Sequence, residues 1–526
     1  MSWAMTNNAA ICALKEWRGA RDHRCDSFPF SNLGFFVSSA KPATSANPTT
    51  TIPIVPEPPP KGVPADDEVM VSLYASRKKI YPRSVSGLFS QWRWITVWIT
   101  QIVYYGLPWL EWNARQAVLF DLEARRFYIF GLVLYPQDFI YLTGLLVIAA
   151  LALFLFTAVA GRLWCGYACP QTVYTEIFLW IEKKVEGDRS ARMRLDDSAF
   201  SAGKFGKKWS KHALWILFSL WTGFTFVGYF TPIRELAAVS LAASLGPWQT
   251  FWIFFYGFAT YGNAGFMREQ VCKYMCPYAR FQSAMFDKDT MIVTYDEKRG
   301  EPRGPRSKKA DPKALGLGSC VDCTLCVQVC PTGIDIRNGL QYECIGCGAC
   351  IDVCDEVMDK VGYPRGLVKY STQNGIAQGW NTQQMIRRAM RPRVLVYTGI
   401  LLAITLAVMI SLFLRKPLKV DVIRDRGALA RMVEQGRIEN VFRLQVMNAT
   451  ESTQRYVISV SGLPGITIAS ESEIEVLPTE VRSAVIRVQV PPGAADTGSH
   501  PIHFEIKAAE DDGVSVTEKA AFLVPR

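Results

Sequence analysis

Histidine is almost missing from this chain, with four among 526 residues. Two of them, His500 and His503, stand three apart in a run that reads as a strand, where such side chains face opposite sides and make no metal pair. No Gly-rich phosphate loop, catalytic triad or paired-carboxylate constellation stands out, which leaves no residue set for phosphoryl transfer or hydrolysis. The start of the chain also lacks a basic region leading straight into an apolar core. The first strongly apolar stretch begins near Trp92, so a cleavable secretory signal is not expected. Cysteine is absent from 415–526, so that region must rely on its core and not on disulfides.

What is present comes in blocks. The chain is too long for one core, and its 49% hydrophobic content, with 15 Trp and 29 Phe, is gathered into separate stretches. Residues 1–76 contain the low-complexity run Ala40 to Pro64 and read as a disordered, Pro-rich cytoplasmic arm. Five segments, about 92–110, 138–161, 213–230, 248–267 and 394–414, approach the length a helix needs to cross a bilayer. Gly223, Gly228, Gly257 and Gly262 interrupt the third and fourth, where they permit close helix packing. His212 opens the third and reads as interfacial.

The formal charge of +11 follows the membrane and not a nucleic acid. Lys78, Lys79 and Arg83 precede the first span, Lys183 to Lys211 separate the second from the third, and 268–393 is again basic. Those sides should be cytoplasmic, giving an inner-membrane protein with its N-terminus in and its C-terminus in the periplasm. After Arg415, short β-rich runs (Val441 to Val446, Tyr456 to Val460, Ile466 to Val476, Ala484 to Val490, His503 to Ile506, Val514 to Val524) predict an immunoglobulin-like β-sandwich. The expected fold class is a multi-domain membrane protein. It has a four-helix membrane domain over 77–300, an α+β ferredoxin-like two-cluster insert over 301–393, a fifth transmembrane helix over 394–414 and the sandwich over 415–526.

Of the 14 cysteines, Cys12 and Cys25 are isolated and twelve fall into four tight groups. Cys320-Val-Asp-Cys323-Thr-Leu-Cys326-Val-Gln-Val-Cys330-Pro331 is followed by Cys344-Ile-Gly-Cys347-Gly-Ala-Cys350-Ile-Asp-Val-Cys354. Three thiolates at two-residue gaps wrap three corners of a cubane, and the fourth is carried to the other cluster. One [4Fe-4S] cluster is expected on Cys320, Cys323, Cys326 and Cys354, the other on Cys344, Cys347, Cys350 and Cys330. Zinc modules take ligands in two pairs, unlike this interleaved order. Asp355 stands where the second run would usually carry proline, and an anion beside Cys354 should lower the potential of the cluster that Cys354 completes.

A second pattern is Cys165-Gly-Tyr-Ala-Cys169-Pro170 and Cys272-Lys-Tyr-Met-Cys276-Pro277, each just past the cytoplasmic end of an inbound span. The spacing predicts helices with both sulfurs on one face, ended or kinked by the proline. Because the motif occurs twice in equivalent places, an internal duplication is expected, with the four thiols converging on one redox or copper site. Packing residues, a further metal site, a thiolate site for Cu(I) and a reversible dithiol couple all fit the spacing.

Taken together, the spans, paired motifs, ferredoxin insert and terminal sandwich resemble the FixG family, also called CcoG or RdxA. The likeness runs from about Arg77 to Arg526 and is plain in Arg115-Gln-Ala-Val-Leu-Phe-Asp121 and Gly161-Arg-Leu-Trp-Cys-Gly-Tyr-Ala-Cys-Pro170. It implies a role in assembling a high-affinity haem–copper terminal oxidase, with reduction of Cu(II) to Cu(I) by a cupric reductase during copper delivery. The implied partners are membrane lipid, copper-delivery and oxidase-assembly proteins and a cytoplasmic or quinol electron donor, with copper as substrate. The membrane core also resembles quinol-dehydrogenase polyferredoxins such as NapH, which implies a quinol-linked conduit; a non-catalytic assembly scaffold is a third reading.

Overall fold

The computed structural model describes residues 79–306, 315–425, 430–511 and 513–525; the Pro-rich arm expected over 1–76 lies outside them. Helix α1 (Leu88–Gly106) begins at a cap that no local residue supplies. The Asp352 carboxylate accepts from the backbone N–H groups of Phe89 (3.1 Å) and Ser90 (2.7 Å), so a residue of the second cysteine run satisfies the orphan donors of the first helix. Helix α2 (Phe139–Ala160) ends at Gly161, whose φ of 54° suits glycine, and the short helix α3 (Leu163–Tyr167) and then α4 (Pro170–Glu186) follow. Helix α5 (Ala202–Val227) is capped by the Ser201 hydroxyl, which accepts from Lys204 N–H at 3.2 Å. It starts well before the apolar segment at 213 because its first half carries Lys204, Lys207, Lys208 and Lys211 on a stem continuous with the span. Helix α6 (Pro247–Thr260) widens into a π-helical stretch, Tyr261–Met267, before a second such turn, Val271–Met275, and helix α7 (Pro277–Met285).

Among the described residues, Pro136–Ala160 and Pro392–Phe413 are long and apolar enough to cross a membrane, with mean hydropathies of 2.6 and 2.4. They pack together: a Cβ on Gly144 would come within 2.9 Å of Val408, and the Tyr141 hydroxyl lies 3.1 Å from that of Ser411. Helices α5 and α6 approach even more closely, since a Cβ on Gly223 would run into the Ile253 carbonyl oxygen. The outward faces are apolar, with Trp98 62%, Ile140 73% and Phe258 76% exposed, while Arg93, Glu182, Arg192 and Lys211 are buried within the bundle.

The cysteine runs sit on a small α+β unit whose two strands, Ile292–Tyr295 and Val368–Ser371, pair antiparallel. Val293 and Tyr295 share a core with Cys320, Cys326, Ile336 and Met358. The insert therefore takes in Ile292–Tyr295, which the boundary at 300 had left with the membrane domain. Its helices α8 (Leu325–Gln328) and α9 (Ala349–Val361) each start after a left-handed residue, Thr324 (φ 56°) and Gly348 (φ 71°), the same step of the two cysteine repeats.

After helix α10 (Pro392–Phe413) the chain forms two antiparallel sheets. Thr467–Ile468, Val481–Val490, Ile438–Asn448 and Leu418–Arg424 make one in that order, with Arg431–Met432 also on Ile438–Asn448. Glu473–Val476, Gln454–Ser461, Gly498–Ala508 and Ser515–Val524 make the other. The run read as one strand over Ile466 to Val476 is divided: its polar middle, Ala469 to Ser472, carries the chain from one sheet to the other. Alternate side chains from both sheets, including Phe442, Leu444, Tyr456, Ile486 and Phe504, fill the core. The sandwich is tied to the α1–α2 connection by Asp138, which pairs with Arg415 at 2.7 Å and with Lys419, and by the Tyr135 hydroxyl, which donates to the Asn448 carbonyl at 2.8 Å.

Candidate functional site: two thiol-lined cavities and a four-thiol turn

Cys320, Cys323, Cys326 and Cys354 line one cavity of the insert, together with Val353, Val357, Met358 and Leu367. Cys330, Cys344, Cys347 and Cys350 line a second, with Val293, Ile334, Ile336 and Ile345. Cys326 borders both, so the two cavities adjoin. Among the described residues, no three His, Cys, Asp or Glu side chains gather tightly enough for a single ion. Four thiols spread around an apolar hollow suit the corners of a cubane better than a tetrahedral zinc. Burial pushes Cys326 up to about 11 and Cys354 up to about 12; it does the same to Cys344, also to about 12, against a backbone hydrogen bond from Gly346. Such thiols stay protonated near neutral pH unless a metal displaces the proton, so this donor set fits an iron–sulfur cluster in each cavity.

The walls of these cavities are fixed from several directions. Tyr370 donates its hydroxyl to the Gly346 carbonyl, holding the loop between Cys344 and Cys347. Arg337 donates to both Asp335 oxygens and to Asp322 beside the first cavity. Asp355 accepts from the Gly366 N–H at 2.9 Å, tying the end of the second run to the strand that follows. The carboxylate in proline's usual place thus has an anchoring partner that the sequence pattern did not reveal.

The Cys-x-x-x-Cys-Pro motifs differ from the expectation of two sulfurs on one helix face. Cys165 lies in α3, but Cys169 is extended (φ −62°, ψ 128°) and is the N-cap of α4, with Pro170 at the first helical position. Cys272 lies in the π-helical turn, and Cys276 is likewise extended (φ −77°, ψ 109°) before Pro277 opens α7. A residue preceding proline avoids the helical region, and proline suits a helix start, so each proline begins a new helix instead of kinking the old one. Each cysteine pair therefore brackets a break between helices.

The four thiols are neighbours. Burial raises Cys165 to about 11, helped by Cys169 and opposed by the Gln282 side chain, which the sulfur meets at 3.4 Å; Cys276 also bears on it. Burial raises Cys272 to about 12, with Cys169, Cys165 and Cys276 all adding to the shift, and burial raises Cys169 as well. The two halves are cross-clamped: Arg162, just before Cys165, donates to the Ala279 carbonyl and to the Ser283 hydroxyl (3.0 Å) on α7, while Arg268, just before Cys272, pairs with Glu182 on α4 at 3.1 Å. Gly161 and Arg268, at matching points of the two halves, share an unusual backbone (φ 54°, ψ −119° and φ 39°, ψ −110°). The two halves thus enter their motifs through the same backbone turn.

This four-thiol turn lies directly against the second cavity. A Cβ on Gly166 would come within 2.9 Å of the Ile345 carbonyl, the Gly346 carbonyl and the Cys347 Cα, and Gly346 in turn lies against Arg162. Cys272, Ile345, Pro331 and Thr332 line one further small hollow. Sequence reasoning placed the thiols on the chain but missed this contact, which joins residues about 180 apart, and missed the buried charges beside it. Glu182 and Glu186 are held by Arg192 (2.8 Å), Lys211 (2.9 Å) and Lys208 (3.0 Å). Burial alone would raise the Glu182 pKa, but Arg268, Arg192 and Lys211 outweigh it and leave it lowered.

Residues 267–373 match the model of a 4Fe-4S dicluster domain, and 142–186, around the first Cys-x-x-x-Cys-Pro motif, match a 4Fe-4S binding domain. Residues 408–525 match the immunoglobulin-like fold at the C-terminus of FixG. The chain is 42% identical over 408 residues to protein RdxB of Cereibacter sphaeroides, covering 76% of this chain and 85% of that one. It is 38% identical over 427 residues to the nitrogen fixation protein FixG of Rhizobium meliloti, covering 75% and 82%. It is also 38% identical over 471 residues to protein RdxA of Cereibacter sphaeroides, covering 86% and 98%. A crystal structure of a FixG-related protein from Vibrio parahaemolyticus aligns with 21% of this chain and 97% of that chain at 26% identity, with a TM-score of 0.19. Likeness of this extent to three such relatives, together with the ferredoxin-type and terminal domains, makes the chain a member of the FixG family.

Proposed function

We propose that this protein is a multi-pass inner-membrane electron carrier that reduces Cu(II) to Cu(I) at Cys165, Cys169, Cys272 and Cys276 during assembly of a high-affinity haem–copper terminal oxidase. The observation that carries it is the seating of α3, with Gly166, on the Cys344–Cys347 loop, where Cys165 packs in one cluster with Cys347 and Cys350 of the second cavity. A [4Fe-4S] cluster in each cavity supplies electrons one at a time. The chain's own residues do the rest. Cys320, Cys323, Cys326 and Cys354, and Cys344, Cys347, Cys350 and Cys330, are the cluster ligands; Cys326 between the cavities shortens the step from one to the other. Copper binds these thiols two at a time, a coordination that Cu(I) accepts, and its reduction consumes one electron per ion. Soft sulfur ligands favour Cu(I) over Cu(II), so the same thiols that receive the ion also favour its reduced form.

Five spans, with the insert cytoplasmic and the sandwich periplasmic, suit the apolar outward faces of α1, α2, α5, α6 and α10 and the alternation of basic segments. The sandwich then presents its surface to copper-delivery and oxidase-assembly proteins. Stopped-flow absorbance of anaerobically reduced protein tests the reading. Cu(II) should reoxidise the clusters of the wild type, and the double variant Cys169→Ser/Cys276→Ser should keep about eight iron per chain yet react at least tenfold more slowly. Equal rates in the two proteins would remove copper reduction from these thiols.

A further inference from the structure

Each half of the four-thiol turn has one arginine just ahead of its first cysteine, and the two are neutralised differently. Arg268 has a carboxylate, Glu182, at 3.1 Å. Arg162 is as deeply buried, 6% exposed, yet its guanidinium is held by neutral oxygens, the Ala279 carbonyl and the Ser283 hydroxyl at 3.0 Å. Its Nε has no hydrogen-bond partner, and among the described residues no carboxylate comes within ion-pair distance of it. A guanidinium does not shed its proton, so burial cannot neutralise it as it would a lysine. A buried charge of this kind requires an anion nearby.

The other charges around the second cavity are already matched. Arg93, which lines the small hollow with Thr332 and Ile345, pairs with Glu176 at 3.3 Å, and Asp352 is occupied by the N–H groups that open α1. The backbone of Arg162 packs on the Cys344–Cys347 loop: a Cβ on Gly346 would lie 3.4 Å from its carbonyl oxygen. Burial raises the Cys344, Cys165 and Cys272 thiols, and Arg162 opposes that rise in all three, so its charge reaches both the second cavity and the four thiols. Around the first cavity the balance is the opposite. Arg337 is matched by Asp335 and Asp322, Asp355 adds an anion after Cys354, and Arg306 is partly open to water.

A thiolate-ligated [4Fe-4S] cluster is a net anion, and one charge more negative when reduced. We propose that Arg162 is the countercharge of the cluster on Cys344, Cys347, Cys350 and Cys330, and that it makes the second cavity the collecting point for electrons bound for the four thiols. The proposal rests on the chain being an electron carrier, not on copper being its acceptor. A fixed cation in a poorly solvated site stabilises the charge that reduction adds, and so raises the tendency of this cavity to take an electron. Each transfer from the first cavity removes one electron there and adds one here, and no proton moves. The electron is then held beside Cys165 and away from Cys323, which is exposed.

Redox titration of the cluster-loaded full chain in lipid nanodiscs, followed by EPR without copper, tests this. The second cavity's signal is the one that Cys350→Ala lacks. Arg162→Gln removes the charge, whereas Ser283→Asp keeps the arginine and gives it the carboxylate that Arg268 has. In both variants that signal should move to lower potential, the ratio of reduced to oxidised cluster at a fixed poise falling about tenfold, while the first cavity's signal stays in place. Arg162→Lys, which keeps the charge, should stay close to the wild type. Ser283→Asp decides the matter even where Arg162→Gln loses iron, because the clamp to α7 is kept. An unmoved signal in Ser283→Asp, equal shifts of both signals, or an Arg162→Lys shift as large as that of Arg162→Gln would overturn the proposal and leave Arg162 a clamp. These shifts in a protein whose clusters Cu(II) does not reoxidise would overturn the copper reading and leave the countercharge standing.

Discussion

Two sets of cysteines in this molecule are held in opposite ways. In the insert, loops of small and left-handed residues wrap the thiols around apolar hollows, and the hollows are the core of that unit: Cys320 and Cys326 pack with Val293, Ile351 and Met358. At the edge of the bundle, Cys165, Cys169, Cys272 and Cys276 sit at breaks between helices that hold their shape through prolines and arginine clamps. The lesson is that the first set should be inseparable from folding, whereas the second should be removable from a bundle that still stands. Metal binding is folding energy where the ligands are the core, and ligand chemistry alone where they are not.

The largest effect expected from this contrast is on the insert. Cys350→Ala removes one of four ligands from the second cavity and should lower iron from about eight to about four per chain, with loss of one EPR signal and protease sensitivity of 292–371. Retention of full iron would mean that Cys350 is not a ligand in the second cavity. Next comes the contact between the two sets. Gly166→Val must part the Cys344–Cys347 loop from α3, at a cost of about 1–3 kcal/mol for overpacking; iron should stay near eight while Cu(II) reoxidation slows more than tenfold. An unchanged rate would show that electrons leave the insert by another route. The smallest is Asp355→Ala, which removes the hydrogen bond from Gly366 and should cost about 1 kcal/mol in chemical denaturation, with the first cavity's potential shifting upward as the anion is lost.

The same contrast explains what could be read from the sequence. The ligand spacing of the insert is local, since each run of three closes within seven residues, and so the grouping of Cys320, Cys323 and Cys326 is visible in one dimension. Polarity likewise marked the apolar helices and the alternating strands. The Cys-x-x-x-Cys-Pro geometry departs from helix periodicity because proline at 170 and 277 takes Cys169 and Cys276 out of the helix and not only the residues after them. The Asp352 cap on α1, the Gly166 contact with Cys347 and the Glu182 charge cluster depend on partners far apart in the chain, and no local pattern carries them. The strand Ile292–Tyr295 belongs with the insert for the same reason: its partner is Val368–Ser371, more than seventy residues on.

The central claim is that the four thiols between the helices receive copper, and X-ray absorption at the copper K-edge after anaerobic copper loading tests it most directly. Wild-type protein with reduced clusters should show Cu(I) with sulfur neighbours, and Cys169→Ser/Cys276→Ser protein should show Cu(II) with oxygen and nitrogen neighbours only. Identical spectra from the two proteins would contradict the account.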